Sequence, residues 1–467
     1  PILSKRFGIL SNLFHCSKEL IMIIRSISGV RGLVNTYLST EVIKAYARAF
    51  HTQLDSGLVY LGRDSRPSGE ALLNAFTEEL IRLGRDVIVC GIVPTPTVQF
   101  MVETSESAGG VVITASHNPI EWNGIKFIRA DGTFFHSKDC TGLFECVDRD
   151  EPIASADEGG MAFPDQNSIL KHSIHTIELS CIDLNAIRNR KFKVVIDAVN
   201  GAGSEALPLL LAHLGCEVIS IHCEGNGEFK RGTEPLPENL GDLRKTVIKN
   251  EAHVGFAVDP DADRLAVVNE KGQALGEEYT LVLAAEGYIK NKQSKETFVI
   301  NLSTSMALEK MAELNNCTVE RSAVGEINVV QKMIEVGSEL GGEGNGGVIL
   351  KEAHLGRDSL VGAAMVLNRM AQENIPLSQI HSALPQFYIV KDRINLNVIK
   401  KDAVLEKAKS VFTDAEVNTV DGVKFTWEDS WIHLRSSNTE PIMRIYAEGS
   451  SIRIAQGLVD KIKKTIL

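Results

Sequence analysis

Several features are scarce or missing in this chain of 467 residues, and each absence narrows the reading. No apolar run is long enough to cross a bilayer as a helix, which takes about 20 apolar residues in succession. The 8 cysteines are scattered, with neither a Cys-x-x-Cys pair nor paired zinc-ligand spacing, so they read as reduced thiols of a cytoplasmic chain. Positive charge is in deficit: 49 Lys and Arg stand against 60 Asp and Glu, a net charge of −11. That balance argues against nucleic acid and anionic membranes as partners, and it leaves any anionic ligand to be captured by local cations. No signal peptide is expected either. The patch Phe7 to Leu10 is too short for its apolar core, and Cys16 follows His15, which is too large for a lipoprotein signal. Segment 1–21 is therefore expected to be an extension without fixed structure, with the natural start near Met22. No fixed-period repeat is visible.

What is present is ordinary in bulk, with 44% hydrophobic and 23% charged residues and enough length for several domains. The information lies in loops. Val111-Val112-Ile113 runs into Thr114-Ala115-Ser116-His117-Asn118-Pro119. A continuous apolar run that stops at a polar, Pro-terminated loop is the pattern of an inner strand delivering a loop to a cleft. Here the loop presents a hydroxyl beside an imidazole, and Asn123-Gly124-Ile125-Lys126-Phe127 follows closely. Read alone, it is equally a strand-end turn, because Ser, Asn and Pro are common turn residues.

A second loop, Asp259-Pro260-Asp261-Ala262-Asp263-Arg264, follows the apolar stretch 254–258. Carboxylates at alternate positions can turn their oxygens toward one point, and hard oxygen donors suit Mg²⁺. An EF-hand is the first competing reading. It fails because Arg264 stands where that loop needs Gly, and because Leu265 to Val268 read as a strand. The nucleophilic aspartate of a phosphatase is the second. Three unpaired carboxylates so close would raise one another's pKa, so a bound cation is the simpler account. A third loop, Arg435-Ser436-Ser437-Asn438-Thr439-Glu440-Pro441, has Arg444 just beyond. Clusters of this kind are often solvated turns, but flanking arginines with successive hydroxyls are also what a phosphate dianion requires.

In this order the three loops resemble the α-D-phosphohexomutases, the family of phosphoglucomutases, phosphomannomutases and phosphoglucosamine mutases. The resemblance runs from about Met22 to the C-terminus. Ser28 to Gly32, Gly62-Arg63-Asp64-Ser65-Arg66, Val93-Pro94-Thr95-Pro96-Thr97, Asp197 to Gly203 and Glu234 to Leu240 add to it. It implies that Ser116 carries a phosphoryl group, that one Mg²⁺ joins it to Asp259, Asp261 and Asp263, and that a hexose or hexosamine 1,6-bisphosphate serves as intermediate and activator. Arg31 and Lys126 would shuttle protons or stabilise charge at the reacting oxygens. His117 and Arg264 would flank the phosphoserine and metal. Arg435, Ser436, Ser437, Asn438, Thr439 and Arg444 would hold the non-transferring phosphate. Phosphoserine alone brings a charge of about −1.5 to −2, so such a site needs its cations. The partner implied is a phosphorylated hexose or hexosamine, and the protein itself a monomer or homodimer.

Sugar selectivity would then lie in Gly342-Glu343-Gly344-Asn345-Gly346-Gly347. By composition it is a flexible Gly-rich turn. By resemblance Glu343 grips the sugar hydroxyls, and Glu-x-Asn-Gly is similar to the loop of acetylglucosamine-type and some phosphoglucosamine mutases. Asn345 can accept from an ammonium or donate to a hydroxyl. Many bacterial relatives have His where Gly347 stands, which leaves one contact unassigned. His354 is a candidate replacement or, equally, a packed surface histidine.

The alternation of strand and helix signals predicts an α/β chain with parallel or mixed sheets. Strands are expected at 58–62, 86–93, 192–196 and 298–302, and a helix at 69–83. The expected domains are 22–150, 171–264, 265–374 and 375–467, with a polar linker at 151–170. The resemblance makes these three similar α/β domains and a C-terminal α+β domain around a central cleft.

Overall fold

The computed structural model describes residues 23–292, 295–396, 401–436 and 442–466. Segment 1–21 lies outside the described residues, as do Ser437, Asn438 and Thr439 of the third loop. Four sheets organise the rest. The first holds β1 (Ile24–Ser26), β2 (Gly29–Leu33), β3 (Val59–Arg63), β4 (Val87–Ile92), β5 (Gly109–Ile113), β6 (Trp122–Arg129) and β7 (Ala162–Pro164) in the order β1-β2-β6-β5-β3-β4-β7. The second holds β8 (Lys193–Asp197), β9 (Glu217–Ile221), β10 (Val254–Val258) and β11 (Leu265–Asn269), ordered β11-β10-β8-β9. The third holds β12 (Thr297–Asn301), β13 (Thr318–Ser322), β14 (Leu340–Glu343) and β15 (Gly347–Leu350), ordered β13-β12-β14-β15. The fourth is antiparallel and holds β16 (Tyr388–Asn395), β17 (Glu416–Asn418), β18 (Val423–Thr426), β19 (Ser430–Ser436) and β20 (Ile442–Gly449).

One pattern recurs in the first three sheets. A central strand (β3, β8, β12) has a parallel partner on each side, and one of those partners turns back into an antiparallel strand: β5 into β6, β10 into β11, β14 into β15. The serine, aspartate and sugar loops are the connections of these three hairpins. Each therefore leaves the sheet at the C-terminal end of a parallel strand, where open α/β sheets carry their sites. The feeding strands are buried on both faces, β5 and β10 along their whole length, which is why they read as unbroken apolar runs.

The expected elements appear within a residue or two as β3, β4, β8, β12 and the helix Gly69–Arg82, whose Leu72, Leu73, Phe76 and Leu80 form the buried stripe. β11 pairs with β10, so the boundary expected at 264 falls between two strands of one sheet, and β7 of the expected linker joins the edge of the first sheet. One apolar core runs from Val98 and Phe100 through Leu207 and Leu210 to Leu283, Leu308 and Leu367, joining the first three domains. The helix Ser359–Ala371, started by Asp358 accepting from Leu360 N–H and Val361 N–H, is buried along most of its length. The fourth domain has its own core around Phe425, Ile432, Leu434 and Ile445.

Candidate active site

The serine loop is held in a strained shape by residues that precede it. Ser116 has φ of 50°, a left-handed conformation that costs a non-glycine residue about 1–2 kcal/mol. Two contacts stabilise it: its N–H donates to Thr114 Oγ1 at 2.9 Å, and its carbonyl accepts from Arg66 Nη2 at 2.6 Å. Arg66, wholly buried, also donates to the carbonyls of Asn118 (2.7 Å), Pro119 (2.5 Å) and Trp122 (3.0 Å). Asp64 balances its charge at 3.0 Å and accepts from Thr114 Oγ1 at 2.6 Å. The Asp64–Arg66 pair is therefore the frame of the loop, a role the bare sequence did not assign.

Ser116 Oγ donates to Asp259 Oδ2 at 3.2 Å and lies 3.3 Å from His117 Nδ1. The three aspartates are buried, and one oxygen of each lies within 4.8 Å of the others. Their loop is braced from two other segments. Thr95 Oγ1 donates to Asp261 Oδ2 at 2.7 Å, and Ala202 N–H donates to Pro260 O at 2.8 Å. Lys126 Nζ reaches Asp261 Oδ2 at 2.6 Å and Asp263 Oδ2 at 3.0 Å. Among the described residues, Asp261 Oδ1 and Asp263 Oδ1 are buried with no hydrogen-bond partner. Orphaned carboxylate oxygens in an all-oxygen donor set fit a hard divalent cation.

The charges divide unevenly. Burial, with Asp263 and Asp261 beside it, pushes Asp259 well above the usual carboxylate range. Burial acts on Asp263 in the same sense, but Arg357, Lys126 and Arg264 outweigh it and hold the carboxyl below that range. Burial, with Arg264 and Arg31 nearby, lowers His117 well below the ordinary imidazole value.

Above this floor opens a cleft of about 1180 Å³. Arg31, His117, Lys126, Arg264, Glu343, Asn345, Arg435 and Arg444 all line it. Arg31 Nη1 donates to Asn118 Oδ1 at 2.6 Å. Arg264 and His117 each approach Glu234 at 3.6 Å. Arg435 and Arg444 face each other in register across β19 and β20, Arg435 is paired with Asp421 at 3.1 Å, and Ser436 ends β19. In the sugar loop, Glu343 Oε1 accepts from Asn301 Nδ2 (2.7 Å) and Gly325 N–H (2.9 Å), and Oε2 from Arg357 Nη1 (2.7 Å). Gly346 has φ of 86°, and its carbonyl accepts from Leu265 N–H at 3.0 Å, so the loop is packed against the aspartate hairpin rather than free.

His354 takes neither role considered for it. It is 1% exposed, away from the cleft lining, with Nε2 3.1 Å from Asp358 Oδ2, an oxygen that His172 approaches at 2.8 Å. Sequence reasoning missed Arg66, Arg357 and Asn301. Their only sequence signals are the Gly62–Arg66 stretch and the Arg357-Asp358 pair.

Fold and site together define a four-domain α/β protein with a buried serine beside an acidic loop whose carboxylates could hold a metal ion. Comparison with known proteins narrows this. The chain matches the phosphoglucomutase/phosphomannomutase family descriptions for alpha/beta/alpha domain I over residues 23–153, domain II over 171–272, domain III over 276–388 and the C-terminal domain over 394–465. It is 33% identical over 437 residues to a probable phosphoglucosamine mutase of Methanopyrus kandleri, covering 93% of this chain and 95% of that one. It is 35% identical over 430 residues to a phosphoglucomutase/phosphomannomutase of Thermococcus kodakarensis, covering 91% and 94%. Among solved structures, a phosphoglucomutase/phosphomannomutase family protein of Burkholderia thailandensis superposes with a TM-score of 0.81 at 26% identity, over 95% of this chain and 97% of that one. The N-acetylphosphoglucosamine mutase of Aspergillus fumigatus shares the fold, with a TM-score of 0.58 at 12% identity over 95% of each chain. The chain belongs to the α-D-phosphohexomutase family. Its activity is that of a phosphohexomutase, an isomerase that moves a phosphoryl group within a sugar phosphate.

Proposed function

We propose that the sugar is glucosamine and that the reaction interconverts glucosamine 6-phosphate and glucosamine 1-phosphate. The observation that carries this reading is the sugar-loop wall of the cleft. Glu343 is held ionised there by Arg357, Asn301 and Gly325 against the opposing effect of burial, with Glu326 also lining the wall. Burial pushes Glu326 above the usual carboxylate range, so the ionised Glu343 is the acid on this wall that favours a sugar carrying an ammonium. Relatives named as phosphoglucosamine mutases support it. The Thermococcus relative named as a phosphoglucomutase/phosphomannomutase supports a second reading, in which the enzyme takes glucose or mannose phosphates. One contact favours that reading: Asn345 Oδ1 already accepts from Gly347 N–H at 3.2 Å, which leaves its NH₂ group to donate to a sugar hydroxyl.

In the mechanism we infer, Ser116 carries the phosphoryl group and donates it to a hydroxyl of the sugar phosphate. The bisphosphate turns in the cleft and returns its other phosphate to Ser116. Asp259, Asp261 and Asp263, with the phosphorylated Ser116, would hold one Mg²⁺, which when bound neutralises charge on the transferring group. Arg31 and Lys126 supply positive charge to the reacting oxygens. His117, 3.3 Å from Ser116 Oγ, can pass the proton of that oxygen. Arg264 orders the rim beside Glu234. Arg435, Ser436 and Arg444 hold the phosphate that is not in transfer, together with Ser437, Asn438 and Thr439. A hexose or hexosamine bisphosphate reloads enzyme that has lost its phosphoryl group.

The test is kcat/KM of the phosphorylated protein with Mg²⁺ for the 6-phosphates of glucosamine, glucose and mannose, side by side. Preference for glucosamine 6-phosphate by about tenfold, roughly 1.4 kcal/mol at the transition state, is the expected result. Preference for glucose or mannose keeps the family chemistry and overturns the sugar.

A further inference from the structure

Arg357 lies across the sugar loop and ends among three carboxylates from three segments. Nη1 meets Glu343 Oε2 at 2.7 Å, Nη2 meets Asp263 Oδ2 at 2.7 Å, and Nε meets Glu326 Oε2 at 3.0 Å. Its path depends on a missing side chain. A Cβ on Gly347 would stand 2.3 Å from Arg357 Cδ and 2.9 Å from Cγ, with Asn345 Oδ1 at 3.1 Å. Gly347 is outside the left-handed region, so its backbone would accept any residue. Glycine is required there by the Arg357 stem and by nothing in the backbone itself.

The consequence reaches the group that reads the sugar. A carboxylate has about four lone-pair directions. On Glu343, two donors take Oε1 and Arg357 takes one direction of Oε2. The last faces Asn345 Nδ2 at 3.5 Å, too long for a strong bond, and is the direction left for a ligand hydroxyl or ammonium. We infer that Arg357 is a positioning residue for sugar selectivity: through the space left by Gly347 it ties Glu343 to the aspartate loop and decides which direction of the carboxylate a sugar meets. A planar fork can join three acids in fixed directions, which a lysine ammonium cannot. The inference rests on the reading of Glu343 as the sugar-gripping residue.

The test compares wild type with Arg357→Met, Arg357→Lys, Gly347→Ala and the Gly347→Ala/Arg357→Met double variant. For each phosphorylated protein, kcat/KM is measured for the three hexose 6-phosphates, and folding is followed by thermal melting. The readout is the ratio of kcat/KM for the preferred sugar to that for the next; a general structural defect would lower both values together and leave the ratio unchanged. Expected is a collapse of that ratio by about tenfold in Arg357→Met, partial recovery in Arg357→Lys, the same collapse in Gly347→Ala, and no further loss in the double variant. An unchanged ratio in folded Arg357→Met overturns the inference, as does a double variant whose losses add. Should Arg357→Met fail to fold, an unchanged ratio in Arg357→Lys and Gly347→Ala overturns it equally. A wild type that prefers mannose or glucose defeats the glucosamine reading alone, because the ratio still tests Arg357 on the sugar preferred.

Discussion

The aspartate hairpin, β10 to β11, and the sugar hairpin, β14 to β15, occupy the same place in two similar sheets yet meet opposite demands. The first carries three buried acids and survives because other segments serve them: Thr95 and Lys126 from the first domain, Arg357 from the third. The second carries one acid among glycines, and its glycines admit neighbours: Leu265 against Gly346, the Arg357 stem over Gly347. The fold supplies the exit point of each loop. Side chains present in one, and absent from the other, decide what the exit point does. Arg357 touches both hairpins, so the two are mechanically one site.

The comparison can be broken first outside both hairpins, at the serine loop. Ser116→Ala removes the proposed phosphoryl carrier and should lower kcat by at least about 10⁴-fold for every sugar, with no ³²P retained on the protein after incubation with labelled bisphosphate. Asp261→Asn breaks the aspartate hairpin alone. It should lower kcat/KM by about 10³-fold, again equally for all sugars, and abolish the rise in melting temperature expected when Mg²⁺ is added to the wild type. Glu343→Gln breaks the sugar hairpin. A loss of about 10- to 100-fold is expected, and it should differ between sugars while the Mg²⁺-dependent melting shift remains. If the losses of Asp261→Asn were sugar-dependent and those of Glu343→Gln were uniform, the division of labour between the hairpins would be wrong. Gly346→Ala sharpens the comparison at the level of packing. A Cβ there would stand 2.4 Å from Leu265 O on a residue of positive φ, so unfolding in urea should show a loss of about 2 kcal/mol. Asn345→Ser should be smallest, shifting the ratio between glucosamine and glucose phosphates by less than about tenfold.

Much of this was legible in the residue order because it is local. The run Val111 to Ile113 announces a buried strand and the polar loop after it; Asp259, Asp261 and Asp263 announce their chemistry by alternate spacing. Sugar-loop glycines were less legible. Composition makes them a flexible turn, whereas the structure shows them held, Gly346 by Leu265 and Gly347 by Arg357. His354 misled for the same reason: sequence proximity to the loop says nothing about which way a buried ring points, and it turns to Asp358. The boundary at 264 was drawn at a motif, but antiparallel pairing keeps β11 with β10.

The sequence by itself determined the α/β alternation, the serine loop, the acid triplet and the order of the loops, since each is carried by contiguous residues with a recognisable period or spacing. Tertiary structure alone decided which distant groups complete them: Arg66 on Ser116 across 50 residues, Arg357 on Asp263 across 94, Lys126 on Asp261 across 135. Such pairings leave no local pattern, because a buried charge is matched by whatever cation the packing of separate domains brings within reach.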